Sequence, residues 1–303
     1  LVHGLEIEFF AFDSEEMNID VEKTKLKVED LKKQGKLPRI AMFGGSVFLF
    51  PHPIKELADF LKSYDIHINY DAAHVAGLIA GGKFQDPLRE GVDTMTMSTH
   101  KTLFGPQGGL VLAFEKNAEA IKKATFPGLT SSHHIHHMAA KAITFAEALE
   151  FGKDYADQTV KNAKALAVAL NDLGFKVLGE KKGFTQSHQA VVNVLDYGDG
   201  GKIEADLEKA NIIVNRQLIP GDIKAKRHYM HPGGIRLGSS EVTRLGMKES
   251  EMKQIASFIK NVIIDNKDAK DVAKQVVEFR KNYQKTQYCF DNKLGAYEYV
   301  KLR

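Results

Sequence analysis

Short apolar runs alternate with amphipathic stretches over roughly the first third of the chain. Residues 5–12 read as a strand, and residues 21–34 as a charged helix stopped by Gly35. Residues 39–43 form a second apolar run, closed by Gly44 and Gly45. A helical pattern over residues 53–64 begins with Pro53, a residue well suited to a first turn. Residues 66–70 are again strand-like and end at Asp71; residues 92–97 make another strand, with Lys101 just past its end; residues 110–114 make one more. This alternation predicts an α/β unit around a mainly parallel sheet.

The pattern then changes. Residues 133–173 are rich in Ala and Leu and predict a long helix, with a pause near Gly152 and a stop at Gly174. Further on, residues 190–195, 212–214 and 235–237 predict short strands, and residues 249–283 a final helical stretch. These signals predict two domains: residues 1–150, with the mainly parallel sheet, and residues 151–303, a smaller α+β domain. The aromatic tail from Tyr288 onward is expected to pack on a neighbouring element or fray.

Composition narrows the function classes. The chain has 303 residues, 43% hydrophobic and 27% charged, which is ordinary for a globular protein. With 42 basic and 39 acidic residues the net charge is +3, so no strong field draws it to nucleic acid. Cys289 is the single cysteine, which excludes an intrachain disulfide framework and fits a reducing cytoplasm. No apolar run approaches the roughly 20 residues that span a bilayer, so no membrane role is expected. The opening residues lack the basic start, apolar stretch and cleavage site of a signal peptide.

Two positions carry candidate chemistry. Asp71 and Lys101 each follow a strand of a parallel sheet, where ligands bind outside the carboxyl ends. A lysine and an aspartate so placed suit pyridoxal phosphate: the lysine forms a Schiff base, and the aspartate keeps the pyridine nitrogen protonated. Taken singly, each also reads as a solvated lysine or a helix-capping aspartate.

The surrounding words decide between these readings. YDAAHVAGLIAGGKFQDPL, residues 70–88, followed by STHKTLFGPQGGLVL, residues 98–112, resembles serine hydroxymethyltransferase. The resemblance continues in FPG at 126–128, NIIVNRQLIPGD at 211–222 and GGIRLGSSEVTRLGMKE at 233–249. The ending DVAKQVVEFRKNYQKTQYCF is similar to the archaeal branch of that family. The similarity covers nearly the whole chain, with order and spacing kept.

The resemblance implies a PLP-dependent aspartate-aminotransferase-like fold, with the mainly parallel large domain truncated at its front and a smaller C-terminal domain. It implies a homodimer that interconverts serine and glycine, passing the one-carbon unit to tetrahydromethanopterin or tetrahydrofolate. Residue by residue, Lys101 matches the Schiff-base lysine and Asp71 the partner of the pyridine nitrogen. His74 matches the histidine near the cofactor's phenolic oxygen, and His100 the histidine beside the lysine. Ser46 and Ser98 match residues close to the cofactor. Arg236 matches the arginine that grips the substrate carboxylate, a task that suits its planar fork. Thr130 and Ser131 fall in the turn that reaches the phosphate of a neighbouring subunit's cofactor. Ser187 and His188 fall where the family has pterin contacts, and read equally as a polar cluster at a strand edge.

There are departures. Many members have Arg at the position of Gln107, and a glycine-rich turn where this chain has LTSSHH at 129–134. His133 and His137 stand one helical turn apart, but no third ligand is evident, so no metal is expected. The chain is also expected to lack the family's front, with its phosphate-binding Ser-Gly segment and its acid–base side chains. Two rival readings follow: a threonine-type aldolase acting on 3-hydroxy amino acids, and an inactive fragment that serves only as a dimer partner.

Overall fold

The computed structural model describes residues 5–291 together with 295 and 296. The rest of the aromatic tail lies outside the described residues. The chain divides into two compact units. The first comprises residues up to Ile79 and Gln85–Thr144; the second comprises Ala80–Phe84 and the chain from Phe145 onward.

The first unit opens with a small antiparallel pair, β1 (Phe12–Asp13) and β2 (Asn18–Ile19), followed by helix α1 (Val21–Lys33). Asp20 caps α1 by accepting the Lys23 N–H, and basic residues Lys32 and Lys33 occupy its last turn. The strand expected over residues 5–12 is reduced to its last residue. Leu5, Ile7 and Phe9 are exposed, and an extended segment without a paired neighbour does not become sheet. Phe10 is half-buried and stacks on Phe43 with ring centroids 4.8 Å apart.

The main sheet is built from β3 (Ile40–Gly44), β4 (His67–Asp71), β5 (Thr94–Ser98) and β6 (Gly109–Ala113), in that spatial order. The first three are parallel, and β6 runs antiparallel to β5. Helix α2 (Ile54–Ser63) makes the crossover from β3 to β4; α3 (Ala76–Ala80) and α4 (Pro87–Glu90) lie between β4 and β5. Phe43, Ile68 and Tyr70 are buried, as are Ile54, Leu57 and Leu61 of α2. The crossovers force parallel strands to end together, so Gly44, Asp71 and Ser98 share one edge of the sheet. Beyond β6 come α5 (Ala118–Lys123) and a kinked segment over Ala124–Leu129, extended at Phe126.

Helix α6 (Ile135–Asp172) begins in the first unit and continues in the second. The pause expected at Gly152 does not occur. Glycine costs only about 1 kcal/mol inside a helix, and a Cβ on Gly152 would come no nearer than 3.8 Å to Ala148. The close approach belongs to Gly81, whose Cβ would lie 2.4 Å from the Gly152 carbonyl oxygen. Gly174, with φ +95°, ends the helix as expected.

In the second unit, β7 (Lys176–Val177), β8 (Gln189–Asn193), β9 (Asn215–Gln217) and β10 (Gly234–Gly238) form an antiparallel sheet in the order β7-β8-β10-β9. Its core packs Val192, Val194, Ile235 and Leu237 against α7 (Gly200–Lys209) and α9 (Glu249–Ile263). Between β10 and α9 lies the short α8 (Ser240–Arg244). Residues 212–214, expected as a strand, are loop; the polar residues that follow pair with β10 instead. The last helical stretch is two helices, since α10 (Ala269–Arg280) starts afresh after Asn266 turns left-handed at φ +50° and Asp268 accepts the Lys270 N–H as a cap.

Candidate active site at the strand ends

The site is assembled from three consecutive strand ends. At the end of β4, Asp71 is half-buried, and one of its carboxylate oxygens accepts the Ala73 N–H at 3.0 Å. This local bond turns the chain out of the strand and toward α3. The Ala72 N–H donates to Thr96 O at 2.7 Å, so the β4–β5 ladder holds through the residue that follows Asp71. His74 lies in the turn, half-buried.

At the end of β5, the Ser98 hydroxyl donates to Ala73 O at 3.0 Å. The next residues form a tight turn pinned on both sides of Lys101. Thr99, fully buried, donates its N–H to Gly108 O at 3.0 Å and its hydroxyl to Pro106 O at 2.7 Å. The Thr102 hydroxyl donates to His74 O at 2.9 Å and accepts the Gly77 N–H at 3.0 Å. The Lys101 carbonyl accepts the Phe104 N–H. Thus the backbone at Lys101 is fixed while its side chain is exposed. Through Ser98 and Thr102, the Lys101 turn is hydrogen-bonded directly to the Asp71–His74 turn, although about thirty residues separate the two in the chain.

Gly77 makes that contact possible. A Cβ there would stand 2.0 Å from Thr102 O and 2.9 Å from Leu103 N. Gly77→Ala is therefore expected to cost about 1–3 kcal/mol, as overpacking against a backbone does. Urea unfolding of the variant measures this; a loss below about 0.5 kcal/mol, the level of an ordinary surface change, contradicts the tight contact.

At the end of β3, Gly44 pairs with Asp71, and a Cβ on it would lie 2.2 Å from Asp71 O. Gly44 and Gly45 both adopt positive φ, +89° and +135°, and lead to the exposed Ser46. Behind this junction stands His52, which sequence reasoning missed. Its Nδ1 accepts the Gly44 N–H at 3.2 Å, and its ring lies 4.8 Å from Phe48 and 6.4 Å from both Phe43 and Tyr70. Burial lowers the His52 pKa to about 4. Gln85 holds the His52 backbone from both sides and accepts the Tyr70 hydroxyl. The signal was present in FPHP and FQDPL, but only the fold brings those segments together.

His100 is exposed, and its Nδ1 accepts the Gly108 N–H at the long distance of 3.5 Å; Gln107 is exposed in the same turn. Thr130 gives both its N–H and its hydroxyl to Thr125 O, at 2.9 and 2.5 Å, so its donors are already engaged. Ser131 and Ser132 are exposed ahead of α6. His134, His136 and His137 crowd together with ring centroids 4.4–5.5 Å apart, yet among the described residues no three His, Cys, Asp or Glu side chains are grouped to hold a metal ion.

In the second unit, Arg236 lies mid-strand on β10, paired with Val191 and Asn215. One of its guanidinium nitrogens donates to Asn215 Oδ1 at 3.0 Å, and partial burial lowers its pKa. Ser187 and His188 are buried. The Ser187 hydroxyl accepts the Gln189 N–H, and His188 O accepts the Ser239 N–H and hydroxyl. They form an internal polar cluster at the start of β8.

An exposed primary amine on a pinned turn, with a carboxylate and imidazoles on the neighbouring turns of one sheet edge, is the donor set that pyridoxal phosphate requires. The glycines at 44 and 77 allow those turns to pack backbone to backbone. Fold and donor set together define a pyridoxal-phosphate enzyme of the aspartate-aminotransferase-like class.

The serine hydroxymethyltransferase family model matches residues 1–259. The serine hydroxymethyltransferases of Nitrosopumilus maritimus (strain SCM1) and Cenarchaeum symbiosum (strain A) are 78% and 72% identical over all 303 residues, and this chain spans 69% of each. Among solved structures, L-threonine transaldolase from Pseudomonas fluorescens is similar with a TM-score of 0.82 and 32% identity, over 94% of this chain and 63% of that one. The chain belongs to the serine hydroxymethyltransferase family. Among the described residues no helix is long and apolar enough to cross a membrane.

Proposed function

We propose that this chain is the greater part of a serine hydroxymethyltransferase that interconverts serine and glycine and passes the one-carbon unit to a reduced pterin. The observation that carries this reading is the hydrogen-bonded union of the Lys101 turn with the Asp71–His74 turn at one sheet edge. Residues 1–150 are read as part of the cofactor-binding large domain, and residues 151–303 as the small domain. The working form is read as a cytoplasmic homodimer.

Pyridoxal phosphate, when bound, supplies an electron sink for the bonds at the amino acid's Cα. Lys101 Nζ is the amine that would hold it. The Asp71 carboxylate would keep a proton on the pyridine nitrogen, since a fixed negative charge favours the charged form. His74 would sit at the phenolic oxygen and His100 beside the lysine. Ser46 and Ser98 would line the same edge, though the Ser98 hydroxyl already donates to Ala73 O. Ser131 would offer a donor toward a neighbouring subunit's phosphate, as would Thr130 once released from Thr125. Arg236 would bind the amino acid's carboxylate in its fork.

Arg236→Lys keeps the charge and loses the fork, so serine and glycine are expected to bind about tenfold or more weakly while cofactor affinity holds. Equal losses of both affinities would mark Arg236 as structural. The acceptor is tetrahydromethanopterin or tetrahydrofolate, and the archaeal relatives favour the former. The similarity to an L-threonine transaldolase supports a second reading, an aldolase acting on 3-hydroxy amino acids. Serine cleavage assayed with each pterin and with none separates the two. Strict pterin dependence supports the transferase, and equal pterin-free cleavage supports the aldolase.

A further inference from the structure

The strand-end site rests on a support that its own residues do not reveal. We propose that His52 is a positioning residue: its neutral ring, accepting the Gly44 N–H, sets the turn over residues 44–46 against Asp71. This rests on the reading of Asp71 as a cofactor-binding residue.

Four observations carry it. First, Nδ1 can accept the Gly44 N–H only without a proton of its own, so the ring is the Nε2–H tautomer. Second, Gly44 is the residue paired with Asp71, and the Gly45 N–H reaches Asp71 O at 3.3 Å. A shift of Gly44 is therefore passed to the Asp71 backbone. Third, the ring is flanked by Phe43 and Tyr70, the residues immediately before Gly44 and Asp71 in their strands. Fourth, the backbone that carries the ring is fixed. Gln85 accepts the His52 N–H at 2.8 Å and donates to His52 O at 3.1 Å, and the same amide is held by the Tyr70 hydroxyl and Glu90. The low basicity of the ring keeps the acceptor in place through the neutral pH range.

Two variants in the holoenzyme separate positioning from packing. His52→Phe keeps a ring and removes the acceptor. His52→Asn removes the ring and keeps an acceptor oxygen about where Nδ1 stands. The readouts are the dissociation constant of pyridoxal phosphate, the absorbance spectrum of the bound cofactor, and the unfolding midpoint. His52→Phe is expected to weaken cofactor binding roughly tenfold, the order of leaving one partly buried N–H unpaired, and to alter the spectrum by more than any fall in its midpoint accounts for. His52→Asn is expected to lower the midpoint but keep affinity within about threefold, short of one unpaired N–H. Wild-type affinity and spectrum in His52→Phe overturn the proposal, as do losses in both variants that follow only their midpoints. An Asp71→Asn control tests the role of Asp71 separately: if it leaves cofactor spectrum and affinity unchanged, the reading of Asp71 fails whatever the His52 variants do.

Discussion

Lys101→Ala should abolish covalent attachment of pyridoxal phosphate and lower serine turnover by about 10²–10⁴-fold or more, the range for removing a group that transfers protons or bonds to the substrate. The loss should be chemical, because the Lys101 side chain is exposed and, among the described residues, no hydrogen bond or ion pair ties it to the turn that presents it. Buried Thr99 and Thr102 hold that turn. The unfolding midpoint of the variant should therefore match that of wild type. Added primary amines should restore a measurable part of the activity, since the space left by the side chain opens to solvent. A variant that keeps turnover within a few-fold of wild type would place the attachment point at another lysine.

Asp71→Asn should lower turnover by about 10²–10³-fold, the cost of losing one preorganised electrostatic partner. The amide keeps the shape of the side chain, and its oxygen can still accept the Ala73 N–H that turns the chain at this point. The β4–β5 ladder is carried by backbone groups and should be untouched. On the proposed role, what is lost is the negative charge that would favour a proton on the pyridine nitrogen. Near-wild-type turnover, or an unfolding midpoint that falls in step with activity, would contradict this role.

The placement of the candidate residues could be read from the chain because they sit at strand ends. Asp71 closes β4, and Lys101 follows β5 within a motif of small polar residues. What could not be read is how the strand ends are held. The Thr102 hydroxyl joins residues 25–28 positions away, and Gln85 joins His52 across 33. No local pattern encodes such pairs. The departures in the secondary elements have the same origin. Residues 212–214 look like a strand by composition, yet backbone pairing to β10 selects Asn215–Gln217. Residues 5–10 look like a strand but form no strand pairing among the described residues. By contrast, the break between α9 and α10 was visible locally, in an asparagine suited to a left-handed turn and an aspartate suited to a cap.

The most direct test of the Lys101 assignment is to locate the cofactor chemically. The protein is reconstituted with pyridoxal phosphate, reduced with borohydride, digested, and its peptides are mapped by mass spectrometry. One pyridoxyl group per chain is expected, on Lys101 in the peptide containing Ser98-Thr99-His100-Lys101. A pyridoxyl group on any other lysine, or none above background, would contradict the assignment.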